Sequence, residues 1–331
     1  MPASTPSALA IERSLAFCWD SWGQMGLSHA TEVVDPRAAD PEALIVFTLE
    51  VARHAPRVFD ELLDWLRENE RLISVQRLRN LARDDRDRQV VQAALTWVAR
   101  FRTTPRFAGA PAEAHGEAEP LFPASAGAAW GSDPTFLAHG LQRGAAEASF
   151  KSRRPDVGLP VNFAFRLRLA LGVGSRAEVI RDLLTMPSAD ASAQQVAQAT
   201  AFAKRNVAET LDGLVAAGLV TATPVANERR YALDRTAWAS LLCLDPGRLP
   251  EWRAWPQLLG ALRRTLRFLS DPGLDGLSGY MRASAARDLI EEVGRDLLSA
   301  GVPLPAANLA GEAYWDGFLD TVDAALDALR T

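Results

Sequence analysis

Lys204, Arg205 and Asn206 stand together in AKRNVAETLDGLVAAGLV, residues 203–220. What they offer is contact with a polyanion. Val207, Leu211 and Leu214 recur at i, i+4 and i+7, so they share one helix face and place the trio in that helix's first turn. Cations there oppose the helix dipole by a few tenths to about 1 kcal/mol. A polyanion outside would supply the charge that the helix end lacks.

Other candidate chemistry is thinner. GVGSRA, residues 172–177, fits a Gly-x-Gly-x-x-Ala loop. A dinucleotide site needs a strand before that loop and another after its helix, whereas this one is followed by a further helical pattern, so no cofactor is expected. His29, His54, His115 and His139 have no metal spacing, and no Gly-x-Ser-x-Gly elbow or Walker loop is present. No catalytic set is visible, and an enzyme is not expected. Cys18 and Cys243 are far apart, both among apolar residues, and read as reduced core thiols in a cytoplasmic protein. Arg77, Arg79 and Arg83 within residues 71–88 admit two readings. One is a second, degenerate helix-turn-helix. The other, favoured, is a helical bundle whose arginines pair with Asp84, Asp85 and Asp87.

Composition bounds these readings. The 331 residues are 48% hydrophobic, enough for two domains with real cores, and three are possible. A net charge of −5 argues against a non-specific nucleic-acid coat, so any such role must sit in a local basic face. The N-terminus lacks the basic start and apolar run of a signal peptide, and no stretch reaches membrane-span length.

The fold class expected is mainly α. Residues 1–102 read as an N-terminal all-helical domain, with helices over residues 8–22, 41–54, 56–69, 75–83 and 86–101. Residues 103–160 read as an Ala/Pro/Gly-rich linker holding Phe107, Leu121, Phe122 and Trp130 against a surface. A helix over residues 135–154 would end in the basic knot of Lys151, Arg153 and Arg154. Within residues 161–235 come a helix, a glycine break and a second helix with capping-box spacing at Ser175 and Glu178. A short helix capped by Ser192, the 203–217 helix, and a hairpin turning near Ala226–Asn227 follow. Gly218 should close the long helix in a left-handed cap. Residues 236–331 read as a C-terminal helical region carrying Trp238, Trp252, Trp255 and Trp315.

Helix, short helix, longer helix, then hairpin is the order of a winged helix-turn-helix. Over residues 176–233, under a quarter of the chain, the pattern resembles bacterial winged-helix regulators of the MarR and ArsR type, whose third helix ends in a leucine, a gap and GLV. The resemblance implies a recognition helix at about 203–217 and a wing at about 219–233. It places Thr200 through Asn206 at the major groove of double-stranded DNA, where Lys204 and Arg205 reach phosphates or guanine and Asn206 reads adenine. It also assigns Ser192 to phosphate, through its hydroxyl and helix N-terminus, and Arg229 and Arg230 to the wing. Ala203 departs from the family's Ser or Thr cap, a loss of about 1 kcal/mol.

The expectation is therefore a sequence-specific DNA-binding transcription regulator, a homodimer, open to a protein partner or small-molecule effector and with no membrane role. The C-terminal tryptophan helices are the candidate dimer surface. The alternatives are a winged-helix scaffold that binds only protein, and an autoregulating antitoxin or defence-system repressor.

Overall fold

The computed structural model describes residues 5–27, 35–101, 107, 117–125 and 131–330. His29, His115, Trp130 and much of the expected linker lie outside them. Helix starts follow local chemistry. Thr5 caps α1 (Pro6–Gln24), Asp40 caps α2 (Pro41–Val51), and the chain restarts at Pro56 in α3 (Pro56–Asn69). Ser74 caps α4 (Val75–Leu81) and Asp84 caps α5 (Asp85–Ala99), each side-chain oxygen accepting a backbone N–H of the first turn. Every residue of α2 is buried. A helix apolar on all sides belongs at the centre, and α1, α3, α4 and α5 pack around it.

The segment after α5 lies on this body. Phe107, Leu121, Phe122, Phe136 and Leu141 are all buried in its core. Strand β1 (Glu119–Pro120) pairs in parallel with β2 (Leu141–Gln142), and α6 (Pro134–Ala138) lies between them. The expected 135–154 helix is only this short element. Gly140 turns the chain at φ +70°. Beyond it the buried Asp64 carboxylate collects the N–H groups of Phe150, Lys151 and Ser152 at 3.0–3.2 Å, around a turn in which Phe150 sits at φ +56°.

A second unit follows: α7 (Phe163–Leu171), α8 (Ser175–Thr185), β3 (Ala191–Ser192), α9 (Ala193–Thr200), α10 (Lys204–Ala216), β4 (Thr221–Val225), β5 (Glu228–Ala232) and α11 (Arg235–Leu241). The hairpin β4–β5 turns at Ala226–Asn227, and β3 adds to it, giving an antiparallel sheet of order β3-β5-β4 with Ala191 and Ala222 both opposite Tyr231. Its core gathers Leu167, Ile180, Leu183, Val196, Val207, Leu211 and Tyr231. The capping box expected at Ser175 does not form. Gly174 occupies the cap position, Ser175 bonds Thr210, and Glu178 is buried elsewhere.

The C-terminal helices α12 (Trp255–Leu269), α13 (Pro272–Asp275), α14 (Gly279–Ser299) and α15 (Glu312–Asp327) return to the first body. There α12 lies on α2 and α15 on α1. Residues 236–331 are thus not a separate region: α11 belongs to the second core and α12–α15 share the first. The tryptophans expected at a dimer surface are used internally. Trp255 donates to the Ala38 carbonyl and Trp238 to that of Leu219, while Trp315 packs on Phe268 and Phe318.

The two cores meet at a buried ionic cluster. Arg77, Arg168 and Arg181 face Asp40, Glu42 and Glu178, all 0–7% exposed. Arg168 bridges Glu42 at 2.6 Å and Glu178 at 2.7 Å, Arg181 reaches Asp40 and Glu178 at 3.2 Å, and Arg77 pairs with Asp40 and Glu42. Burial alone would raise the Glu178 pKa. The guanidiniums of Arg168, Arg181 and Arg77 outweigh it and pull the value to about 2. Removing one member strands a buried charge. Arg168→Met should therefore lower unfolding free energy by about 3–5 kcal/mol in urea titrations, and a loss below about 1 kcal/mol would contradict this account of the seam.

Candidate nucleic-acid interface

α10 forms because Val207, Leu211 and Leu214 bury one face. It stops where Gly218, at φ +71°, lets Leu219 N–H return to the Leu214 carbonyl and Gly218 N–H to that of Val215. At its start Ala203 makes no side-chain cap bond. Lys204, Arg205 and Asn206 are exposed there. Lys204 has no ion-pair partner among the described residues. Arg205 meets Glu209 at 2.9 Å with its side chain 91% exposed, a pair of little energetic weight.

The hairpin adds Arg229 and Arg230 to the same unit. Arg229 meets Asp212 of α10 at 2.8 Å. Arg230 turns toward α9, bonding Asp190 at 2.7 Å, Gln195 at 2.8 Å and Glu228 at 3.2 Å. The four basic side chains Lys204, Arg205, Arg229 and Arg230 thus stand among four acids: Glu209, Asp212, Glu228 and Asp190.

Two expected contact residues are not presented. Thr200 is fully buried, and its hydroxyl donates to the Val196 carbonyl at 2.7 Å. It closes α9 and faces the core. Ser192 is 6% exposed, and its hydroxyl accepts the Gln195 N–H in a capping box. Its oxygen is occupied in shaping the N-terminus of α9 and is withdrawn from the surface set.

The turn between α9 and α10 is held from the other body, a feature the sequence reading missed. Arg77 Nε donates to the Thr200 carbonyl at 2.7 Å, and Asn80 Nδ2 donates to that of Ala201 at 2.8 Å. Ala201 sits at φ +54°, a left-handed conformation costly for a residue with a Cβ. Arg77 is thus a buried clamp. It is fully buried and pairs with Asp40 and Glu42, not with Asp84, Asp85 or Asp87. Arg83 comes within 4.0 Å of Asp296 instead. On the opposite side, Gln257 of α12 donates to the Gln198 carbonyl at 2.9 Å.

The remaining reactive groups lie apart from this face. The Cys18 thiol is buried, its pKa pushed up to about 12 by desolvation against the Thr48 hydrogen bond. Cys243 is exposed at φ +52°, just past α11, and is no core residue. His139 is buried with Nε2 3.0 Å from Thr96, while His54 is exposed. Lys151, Arg153 and Arg154 are exposed on the irregular segment anchored at Asp64. The loop over residues 172–177 is preceded by α7, a helix, and not by the strand a dinucleotide site needs. Among the described residues no group of three or more His, Cys, Asp or Glu side chains could hold a metal ion. Nor is any described helix long and apolar enough to cross a membrane. No family model, no curated protein and no solved structure matches the chain.

Asp182, behind α9, has a clear energetic signature. It is 4% exposed, and burial raises its pKa to about 6 against the Trp252 indole N–H at 3.0 Å and the Arg181 charge. A carboxyl whose folded pKa lies above its ordinary value weighs against folding as pH rises through that interval, and the penalty levels off above the folded value. Asp182→Asn keeps an acceptor for the indole and abolishes the penalty. Its stability gain over wild type should be about 2 kcal/mol larger at pH 7.5 than at pH 4.5, read from urea midpoints. Equal gains at both would refute the titration.

Proposed function

We propose that this chain is a duplex-DNA-binding transcription regulator of the winged-helix type. Its recognition helix is α10 and its wing is the β4–β5 hairpin. The observation that carries the reading is the Lys204–Arg205–Asn206 trio, exposed at the start of a helix whose opposite face is buried. Supporting it are the element order helix–strand–helix–turn–helix–hairpin and the sheet order β3-β5-β4.

In this reading Lys204 and Arg205 neutralise phosphate or reach guanine, Asn206 reaches adenine, and Arg229 follows the backbone from the wing. A homodimer would place two such helices about one DNA turn, roughly 34 Å, apart on a two-fold operator. The MarR/ArsR likeness belongs to this proposal, as does a place in the cytoplasm.

One observation favours a second reading, a winged helix that docks another protein. Four acids stand among the four basic side chains of the face, so its formal charge balances. Salt separates the two, since phosphate contact releases counterions and weakens steeply as salt rises.

The test is retention of promoter-derived duplex by the full chain at several salt concentrations. Wild type should bind, and Lys204→Ala/Arg205→Ala should bind at least about tenfold more weakly, with the salt slope shallower by about two. Its stability should stay within about 0.5 kcal/mol of wild type, because both side chains are exposed. Absence of retention at low salt, or an unchanged slope in the double variant, would overturn the proposal.

A further inference from the structure

The seam between the two cores has two unlike sides. One is filled by the Arg77 cluster. On the other, a cavity of about 290 Å³ lies between the α8–α9 side of the second unit and the chain leading into α12, lined by Asp182, Met186, Gln198, Trp252 and Gln257 among others. Crevices between separately packed bodies are where small-molecule sites concentrate, and this volume suits a small organic molecule.

The lining has a definite chemical bias. Asp182 is the only ionisable side chain on it. Its one hydrogen bond is from the Trp252 indole at 3.0 Å. The nearest guanidinium in sequence, Arg181, is committed to Asp40 and Glu178, and that of Arg235 is spent on the carbonyls of Met186 and Ser188. Gln257 adds a second acceptor. Its Nε2 must face the Gln198 carbonyl, which fixes the amide orientation and leaves Oε1 buried without a partner. Trp252 adds an aromatic surface to the same lining. A carboxylate, an orphan amide oxygen and an indole lack the same thing: a flat donor carrying positive charge.

We infer that this cavity binds a small organic cation of the amidinium or amine class, with its charge on Asp182, a donor to Gln257 Oε1 and its plane against Trp252. Because α9 lines the cavity, an occupant also bears on the turn leading into α10. That consequence rests on the duplex-binding reading, whereas the site does not.

The test therefore uses the full chain without DNA. Isothermal titration with benzamidinium at pH 7.5 should show saturable one-site binding, and benzamide, its neutral counterpart, should show none. Asp182→Asn should weaken benzamidinium at least about tenfold, and Gln257→Met severalfold, with circular dichroism of both variants unchanged. No saturable benzamidinium binding, equal binding of benzamide, or undiminished binding by a folded Asp182→Asn would each overturn the site. A benzamidinium-induced change in duplex retention is a separate measurement, so failure of the regulator reading would leave the titration intact.

Discussion

A carboxylate taken out of water must be paired or neutralised, and this chain buries Asp40 and Glu42 at the start of its central helix. Their partners come from distant segments: Arg77 on α4, Arg168 on α7 and Arg181 on α8, with Glu178 completing the charge balance. α2 therefore reaches its fully buried position only if both the first body and the second unit are docked. Desolvation of six charged groups cancels most of their mutual attraction, so such a cluster adds little net stability. What it adds is position, because any slip at the seam leaves a charge unpaired. Arg77 carries that constraint onward through the Thr200 carbonyl. The orientation of α10 is thus tied to a helix more than a hundred residues earlier.

The opposite end of α2 repeats the device. Glu50 is 7% exposed and meets Arg86 at 3.1 Å and Arg267 at 2.7 Å. Arg267 also pairs with Asp84 and Asp87, and Arg263 reaches Asp87 at 2.6 Å. Between those ends α2 is almost wholly apolar, and Thr48, bonded by the Trp22 indole at 2.9 Å, is its one polar tie to α1 among the described residues. Ion pairs at both termini set its register against α12 on one side and α4 and α5 on the other. This explains why the C-terminal helices belong to the first core. Arg263 and Arg267 lie on α12, and their acidic partners lie on α2 and at the start of α5.

Local pattern made much of this fold legible. The i, i+4, i+7 stripe of α10, the glycine that ends it, the hairpin beyond and the Pro-started helices follow from spacing and backbone preference. What failed depends on contacts remote in sequence. Thr200 ends α9, and the packing of that helix on the core buries it. Cys243 follows two leucines, yet a left-handed turn after α11 points it outward. Residues 135–154 carry helical spacing, but Asp64, far upstream, captures the N–H groups of Phe150, Lys151 and Ser152. The ionic cluster left one local sign: like charges inside apolar runs, Glu42 and Glu50 in PEALIVFTLE, and Arg166 and Arg168 in FAFRLRLAL. A charge in such a run needs a partner, though spacing cannot say which.

The same geometry holds α9 and α10 unequally on their two sides. At the Arg77 side three guanidiniums and three carboxylates interlock, and displacement there would unpair several at once. At the Gln257 side one amide bond crosses to α9 at 2.9 Å, beside a cavity. A single neutral hydrogen bond contributes about 1 kcal/mol, far below the cost of stranding a buried charge. Displacement of α9 and α10 is therefore opposed far more strongly at the ionic cluster than at the cavity. The firm boundary is set by buried charge and the looser one by an amide hydrogen bond, and both are properties of residues outside α10.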